Sequence, residues 1–194
     1  MEKTFFQKTF NLSKYLVVFV ILNTVLSITS RILTILFNNE VFSRKIVVIQ
    51  NKLYLVSMIF LLVAIMLFLF LLTLLIIELT ERYKTDKISN YFESVQQTMR
   101  LRYFLIQHPS DIMPKNSISP ILRDFNRSIS SCIVDVRNKS VVVVLKYPAY
   151  QQSQQIFRNM ESHIKEEISN YNPNFYFSSA ERQFSNLFYK GSKR

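Results

Sequence analysis

The feature that most constrains this chain is a long uncharged run at residues 53–77, which reads LYLVSMIFLLVAIMLFLFLLTLLII. The run has 25 residues, and an α-helix needs roughly 20 apolar residues to cross a bilayer core about 30 Å thick. Its side-chain polar atoms are confined to Tyr54, Ser57 and Thr73. A helix buried in a globular domain seldom stays uncharged over such a length. The run therefore predicts a transmembrane helix.

A second apolar stretch, at residues 15–37, predicts an earlier membrane span. Basic residues precede it, as they precede the apolar part of a signal peptide: Lys3, Lys8 and Lys14. However, the stretch is too long for the apolar region of a signal peptide, and no small-x-small cleavage pattern follows it. We therefore expect this span to be retained.

Two spans place both ends of the chain on the same side of a membrane, and the basic residues predict which side. The flanks of the spans carry Lys3, Lys8, Lys14, Arg82, Lys84 and Lys87, whereas the loop at residues 38–52 carries Arg44, Lys45 and Lys52. Segments richer in Lys and Arg stay in the cytoplasm. We therefore expect both termini to be cytoplasmic.

The first span carries polar side chains that recur along one helix face: Asn23, Ser27, Ser30, Arg31 and Thr34. Small polar residues on one face permit close packing against another helix, and polar faces also line water-filled paths. We predict that this face lines a polar path through the membrane, formed by Asn23, Ser27, Arg31 and Thr34. The alternative for Arg31 is that its long side chain reaches the membrane interface.

The remaining residues, 79–194, predict a small α+β domain that follows a membrane domain at residues 1–78. This part has 17 Lys and Arg and 10 Asp and Glu, which gives a net charge of 17 − 10 = +7. Apolar residues at helical spacing predict a helix over residues 88–106. Pro109 and Pro114 bracket a loop, and Ser119 followed by Pro120 is typical of a helix start.

The clearest local pattern is CIVDVRNKSVVVVLKY, two β-type runs joined by Asn138-Lys139. A two-residue turn sets a register that makes one sheet face fully apolar: Cys132, Val134, Val136, Val141, Val143 and Leu145. The opposite face mixes apolar and charged side chains: Ile133, Asp135, Arg137, Val142, Val144 and Lys146. We expect another subunit, a ligand or both to cover this mixed face.

Further elements are predicted after the hairpin. Ser153 is expected to cap a helix that extends to Asn170, and NFYFSSA predicts a third strand. Residues 181–189 predict a short helix or an edge segment, and the tail at residues 190–194 is expected to be disordered. The domain is thus predicted as an antiparallel sheet with helices packed on its apolar face.

Several classes of chemistry lack the residues that they require. The single glycine, Gly191, excludes loops that bring backbone amides to phosphates. The single Cys132 excludes a disulfide framework and a cysteine-based zinc site, and the two histidines make an all-histidine site improbable. We therefore expect no enzyme activity, no catalytic residue, no metal site and no cofactor.

Cationic and aromatic side chains are concentrated around the hairpin. Guanidinium groups form paired hydrogen bonds with phosphate oxygens, and tyrosine rings stack on nucleobases. The sequence therefore predicts a ligand-binding site that contains Arg123, Arg127, Arg137, Lys146 and Tyr147. The alternative is a basic surface that lies against anionic lipid headgroups.

A two-pass membrane anchor followed by a basic domain of this size resembles the small membrane effectors of type III CRISPR defence, which bind cyclic tetra-adenylate. The resemblance covers the layout of the whole chain, with spans at residues 15–37 and 53–77 before residues 79–194, and no specific motif carries it. It implies a homo-tetramer in the bacterial inner membrane, a cyclic oligoadenylate ligand, and membrane permeabilisation or depolarisation as an antiviral output. A membrane scaffold that recruits a protein partner and a ligand-independent holin-like or toxin-like pore are the alternatives.

Overall fold

The computed structural model describes residues 3–36, 44–108 and 120–194, so Pro109, Pro114 and the predicted cap Ser119 lie outside the described residues. The chain has the predicted α+β class, with two long apolar helices followed by an antiparallel sheet and its helices. It divides into two compact units. The helical unit is Thr9–Glu78, and the α+β unit combines Met1–Lys8 with Leu79–Arg194.

Two long helices contribute most of the helical unit: α1 (Phe5–Leu36) and α2 (Arg44–Thr85). By length and composition both can cross a membrane, over Phe5–Leu36 and Val47–Thr85, which suggests membrane association. Many of their large apolar side chains are exposed, among them Phe19, Ile28, Leu62 and Met66. Side chains of this kind are stable at such a surface when lipid, rather than water, surrounds them.

The buried and half-buried residues of the helical unit recur every three or four positions on each helix. Among those that follow this spacing are Leu16, Val20, Asn23, Ser27, Ser30 and Thr34 on α1, and Leu53, Ser57, Phe60 and Ala64 on α2. The Ser27 hydroxyl donates to the Ser57 carbonyl at 2.9 Å, and the Gln50 amide donates to the Thr34 carbonyl at 3.3 Å. These contacts define an antiparallel helix pair whose seam contains small residues, which permit close approach.

The α+β unit contains three helices and one five-stranded sheet. The helices are α3 (Ser89–Leu105), α4 (Pro120–Ser130) and α5 (Gln151–Tyr171). The strands are β1 (Ile133–Val136), β2 (Ser140–Lys146), β3 (Phe175–Phe177), β4 (Glu181–Gln183) and β5 (Asn186–Lys193). The sheet order is β1-β2-β5-β3, β4 also pairs with β5, and all pairs are antiparallel.

The predicted hairpin is confirmed in its register and in its apolar face. Val134 pairs with Val143 and Val136 pairs with Val141, and all six residues of the predicted apolar face belong to the core. The mixed face is also largely buried within one chain, since Ile133 and Val144 are each 4% exposed. Burial of this face therefore does not require a second subunit.

Two predictions after the hairpin are wrong. Residues 190–193 are not disordered but belong to β5, which lies between β2 and β3. Ser153 does not cap α5, because its hydroxyl donates to the Ile121 carbonyl at 2.8 Å. The carboxylate of Asp124 instead accepts the backbone N–H groups of Ala149 and Tyr150, just before α5 begins. A side chain from another helix thus holds the segment that enters α5.

The single cysteine lies in the core and reports on the folding of the α+β unit. Cys132 is 0% exposed, and burial raises the pKa of its thiol to about 12. Because the thiolate is the reactive form of cysteine, a thiol reagent reaches Cys132 only when the unit opens. Thiol labelling therefore measures opening of this unit even in the presence of the helical unit.

Gly191 permits the close approach of β3 to β5, and we expect Gly191→Ala to destabilise the α+β unit. A Cβ at this position would lie 2.8 Å from the Phe177 ring, which is itself buried. Overpacking of this kind costs about 1–3 kcal/mol. Cys132 labelling in increasing urea measures the effect on the full chain in detergent micelles. Ser192→Ala, at the exposed neighbouring position, is the control, and equal stability of the two variants would contradict the prediction.

Candidate functional site

Tyr147 follows β2 and contacts two arginines. The Arg182 guanidinium carbon is 4.2 Å from the centroid of the Tyr147 ring, and the Arg158 Nε donates to the Tyr147 hydroxyl at 3.3 Å. On its inner side the ring packs edge-on against Phe157, with 5.8 Å between ring centroids. We call Tyr147, Arg158 and Arg182 the Tyr147 surface.

The two arginines of the Tyr147 surface carry charge that no carboxylate neutralises. Both side chains are exposed, and within residues 3–36, 44–108 and 120–194 neither forms an ion pair. Their contacts with Tyr147 hold the guanidinium groups near one another. Such a pair of cations is suited to bind an anion, because guanidinium groups form charge-assisted hydrogen bonds with phosphate or carboxylate oxygens.

Arg123 and Arg127 line a second feature, an open depression between α4 and the segment that leads into α5. The depression has a volume of about 510 Å³, and Asp124, Ala149 and Tyr150 contribute to its wall. The two arginines are exposed and lie on one face of α4. The Asp124 carboxylate already accepts two backbone N–H groups. These hydrogen bonds stabilise its negative charge within the chain.

The structure separates the other two predicted ligand-binding residues from these arginines. Arg137 is part of an ion-pair network, with its guanidinium 3.2 Å from Glu81 and 3.5 Å from Asp135. Lys146 is exposed at the opposite end of β2, and side-chain alternation directs it to the sheet face opposite Leu145. The five predicted residues therefore do not form one cluster, and the sequence did not indicate that Arg158 and Arg182 contact Tyr147.

The tip of the β4–β5 hairpin presents an aromatic ring to solvent. Phe184 is 97% exposed and has a φ of 54°, a left-handed conformation that is uncommon for a bulky residue. The Arg182 Nε donates to the Phe184 carbonyl at 3.4 Å, which links the tip to the Tyr147 surface. The tip thus places an apolar ring where another molecule can contact it.

A buried arginine joins several side chains of the α+β unit, away from the Tyr147 surface. Arg82, in the last turns of α2, is 0% exposed. Its guanidinium donates to the Asp135 carboxylate at 2.8 Å and to the Val136 carbonyl at 3.0 Å. It also lies over the Phe6 ring at 5.0 Å and over the Tyr91 ring at 5.7 Å. We call Arg82, Asp135, Phe6 and Tyr91 the Arg82 node.

The first residues of the chain join this node through a capping box. The Thr4 hydroxyl accepts the backbone N–H of Gln7, and the Gln7 side chain accepts the backbone N–H of Thr4, both at 3.3 Å. The same Thr4 hydroxyl donates to Asp135 at 2.7 Å. The start of α1 and the end of α2 therefore contact the same carboxylate. The T-x-x-Q spacing before an apolar run was the sequence signal for this cap.

The polar stripe of the first span lies largely on the seam with α2. Ser27 is 3% exposed and bonds to α2, as described above. Asn23 donates to the Phe19 carbonyl at 2.8 Å and Thr34 to the Ser30 carbonyl at 2.9 Å, so both satisfy their polar groups on their own helix. Arg31 is exposed. Close packing accounts for Ser27, and the polar path stays a prediction.

Comparisons with known proteins add no relative to this description. No family model, no curated protein and no solved structure matches the chain. In the part of the chain that the structure describes, no three His, Cys, Asp or Glu side chains are grouped so that they could hold a metal ion. The class of the protein is therefore defined by its architecture: two candidate membrane helices joined to an α+β unit.

Proposed function

We propose that this protein is a membrane-anchored effector whose α+β unit binds an anionic nucleotide-type ligand at the Tyr147 surface. The observation that carries the proposal is that Arg158 and Arg182 both contact one tyrosine, while neither arginine has an ion-pair partner among the described residues. Cyclic tetra-adenylate is the ligand that the layout resemblance implies. The output is permeabilisation or depolarisation of the bacterial inner membrane, with both termini cytoplasmic.

The side chains of the Tyr147 surface supply the two kinds of contact that a nucleotide needs. The guanidinium groups can bind phosphate oxygens in pairs, while the exposed ring of the neighbouring Phe184 offers a flat apolar face for a nucleobase. Arg123 and Arg127 extend the basic surface on the other side of the segment that precedes α5. Lys146 and Arg137 contribute long-range attraction in this proposal rather than direct contacts.

The Arg82 node lies within the α+β unit, which contains the start of α1 and the last turns of α2. It holds the start of α1, through Thr4 and Phe6, and the end of α2, through Arg82, against the same strand. A ligand that favours one arrangement of the α+β unit would therefore act on both helices together. A ligand shifts the equilibrium between two arrangements of this unit only if it binds one of them more tightly than the other.

The exposed tip favours a second candidate function, a membrane scaffold that recruits a protein. Phe184 is 97% exposed beside Arg182, and aromatic residues with arginine are enriched in the energetically important parts of protein interfaces. In this alternative the partner covers Phe184, and no nucleotide binds. A ligand-independent pore would use neither surface.

Binding of cyclic tetra-adenylate to the full chain in detergent micelles tests the proposal. We expect Arg182→Ala to weaken binding at least about tenfold, which corresponds to about 1.4 kcal/mol, because the variant removes one of the paired guanidinium groups. Lys139→Ala is the matched control, since it removes one exposed charge from the β1–β2 turn. Calorimetry with cyclic di-, tri-, tetra- and hexa-adenylate measures both affinity and ring-size preference.

The outcomes of this titration separate the candidates. Equal loss of affinity in both variants would indicate general attraction by positive charge and would remove the Tyr147 surface from the proposal. Absence of binding to every cyclic oligoadenylate would contradict the nucleotide ligand and favour the scaffold. Charge reversal at Arg137 is unsuitable as a test, because it would place a third carboxylate beside Glu81 and Asp135.

A further inference from the structure

Helix α3 is amphipathic in an unusual sense, because its polar face is the buried one. Its buried residues are Asn90, Ser94, Gln97, Thr98, Leu101, Arg102 and Leu105. Thr98 and Ser94 accept the backbone N–H groups of Val134 and Val136, both at 2.9 Å. Arg102 donates to the Cys132 carbonyl at 2.8 Å. These side chains satisfy the free edge of β1, where another strand would otherwise pair.

This arrangement turns the apolar residues of α3 away from the sheet. The outward residues are Ile88 at 42%, Phe92 at 66%, Met99 at 52% and Tyr103 at 84% exposure, together with the half-buried Val95. Their spacings of four, three, four and four residues follow from the sequence. That spacing is the seam pattern of two packed helices. We call these five residues the α3 stripe.

We propose that the α3 stripe is an interface with a second copy of this chain, in which the two α3 helices pack antiparallel across a two-fold axis. The proposal is independent of the ligand. It rests on the burial of the polar face, which fixes the outward direction of the stripe, and on the charges that flank the stripe.

Charge complementarity favours a second copy in the antiparallel orientation. The exposed flank of the stripe carries one acidic and one basic residue, Glu93 and Arg100, seven positions apart. Within one chain the Arg100 guanidinium lies over the Tyr171 ring, 4.6 Å from its centroid. In an antiparallel pair centred near Gln96, Glu93 of each copy faces Arg100 of the partner, so two opposite-charge pairs form. In a parallel pair the same flank of the two copies would lie on opposite sides of the seam, so Glu93 and Arg100 would not meet. An interface across a two-fold axis is self-complementary in this way.

The same flank argues against a lipid surface as the occupant. Helices that lie on anionic membranes carry Lys and Arg beside their apolar face, whereas Glu93 and Arg100 cancel. A single helix pair buries less area than most stable dimers require. Anchoring in one membrane raises the effective concentration of the two copies and offsets this deficit.

Site-specific cross-linking of the full chain tests the proposal. Gln96 is exposed at the centre of the expected pair, so Gln96→Cys should form a disulfide-linked dimer under mild oxidation, in micelles and in proteoliposomes. The native Cys132 can remain, because it is buried. Lys139→Cys, on the β1–β2 turn, is the matched control and should stay monomeric on a non-reducing gel.

Charge exchange provides a second and independent arm. Glu93→Arg and Arg100→Glu should each lower the yield of the Gln96→Cys dimer at least about threefold, and the double exchange should restore it. Met99→Glu should abolish cross-linking while circular dichroism stays unchanged, because Met99 is exposed in one chain.

Two results would overturn the proposal. One is the same dimer yield in Met99→Glu as in the parent variant. The other is a Gln96→Cys chain that stays monomeric under oxidation. If a polarity-sensitive dye on that cysteine then reports insertion into vesicles, the stripe is assigned to a bilayer.

Discussion

Asp135→Asn is expected to lower the free energy of unfolding of the α+β unit by about 3–5 kcal/mol. The carboxylate is 1% exposed and lies 2.8 Å from Arg82, which is fully buried. Asparagine keeps the volume but removes the charge, so the buried guanidinium loses the carboxylate that lies 2.8 Å from it, while Asp86 lies 3.8 Å away. Cys132 labelling in increasing urea measures the change on the full chain.

A carboxylate from the same network provides the control for Asp135→Asn. Glu81 pairs with Arg137 at 3.2 Å, but both side chains are partly exposed to solvent. Exposed ion pairs contribute at most about 1 kcal/mol, so Glu81→Gln should change stability little. If the two variants were equally stable, burial of the Arg82 node would not determine the stability of the unit.

The local part of the fold was accessible from the sequence because the information lies in neighbouring residues. Alternation around Asn138-Lys139 sets both the hairpin register and the apolar face, and both are confirmed. The uncharged run at residues 53–77 defines α2 in the same local way, although α2 continues to Thr85. The hairpin and the helical state of residues 53–77, each predicted from one short window, are therefore confirmed.

The non-local part of the fold was not accessible in this way. NLFYKGSK has little apolar alternation, and β5 exists because β2, β3 and β4 pair with it. Helical spacing predicted α3 but not which face is buried, since the edge of β1 selects the polar one. Arg158 and Arg182 reach Tyr147 only after α5 and the β4–β5 hairpin have folded.

Substitution of the polar stripe of the first span is also expected to have a large effect. We expect the triple variant Asn23→Leu, Ser27→Leu and Thr34→Leu to lose ligand-dependent permeabilisation of vesicles, while insertion and ligand binding remain. Ser27 is 3% exposed on the seam, where its hydroxyl bonds to α2. A leucine there forces the helices apart, and overpacking costs about 1–3 kcal/mol per site. Dye release from proteoliposomes with cyclic tetra-adenylate measures the loss.

The corresponding alanine triple variant separates the two roles of the stripe. We expect it to retain permeabilisation, because alanine preserves close packing and because the side chains of Asn23 and Thr34 donate to carbonyls of their own helix. A water-filled path would instead need the polar groups themselves, so loss of activity in both triple variants would identify Asn23, Ser27 and Thr34 as its lining. Arg31→Leu completes the comparison. Arg31 is exposed on α1, so its replacement should leave dye release unchanged if its charge reaches the interface, whereas an arginine beside a water-filled path would alter ion preference.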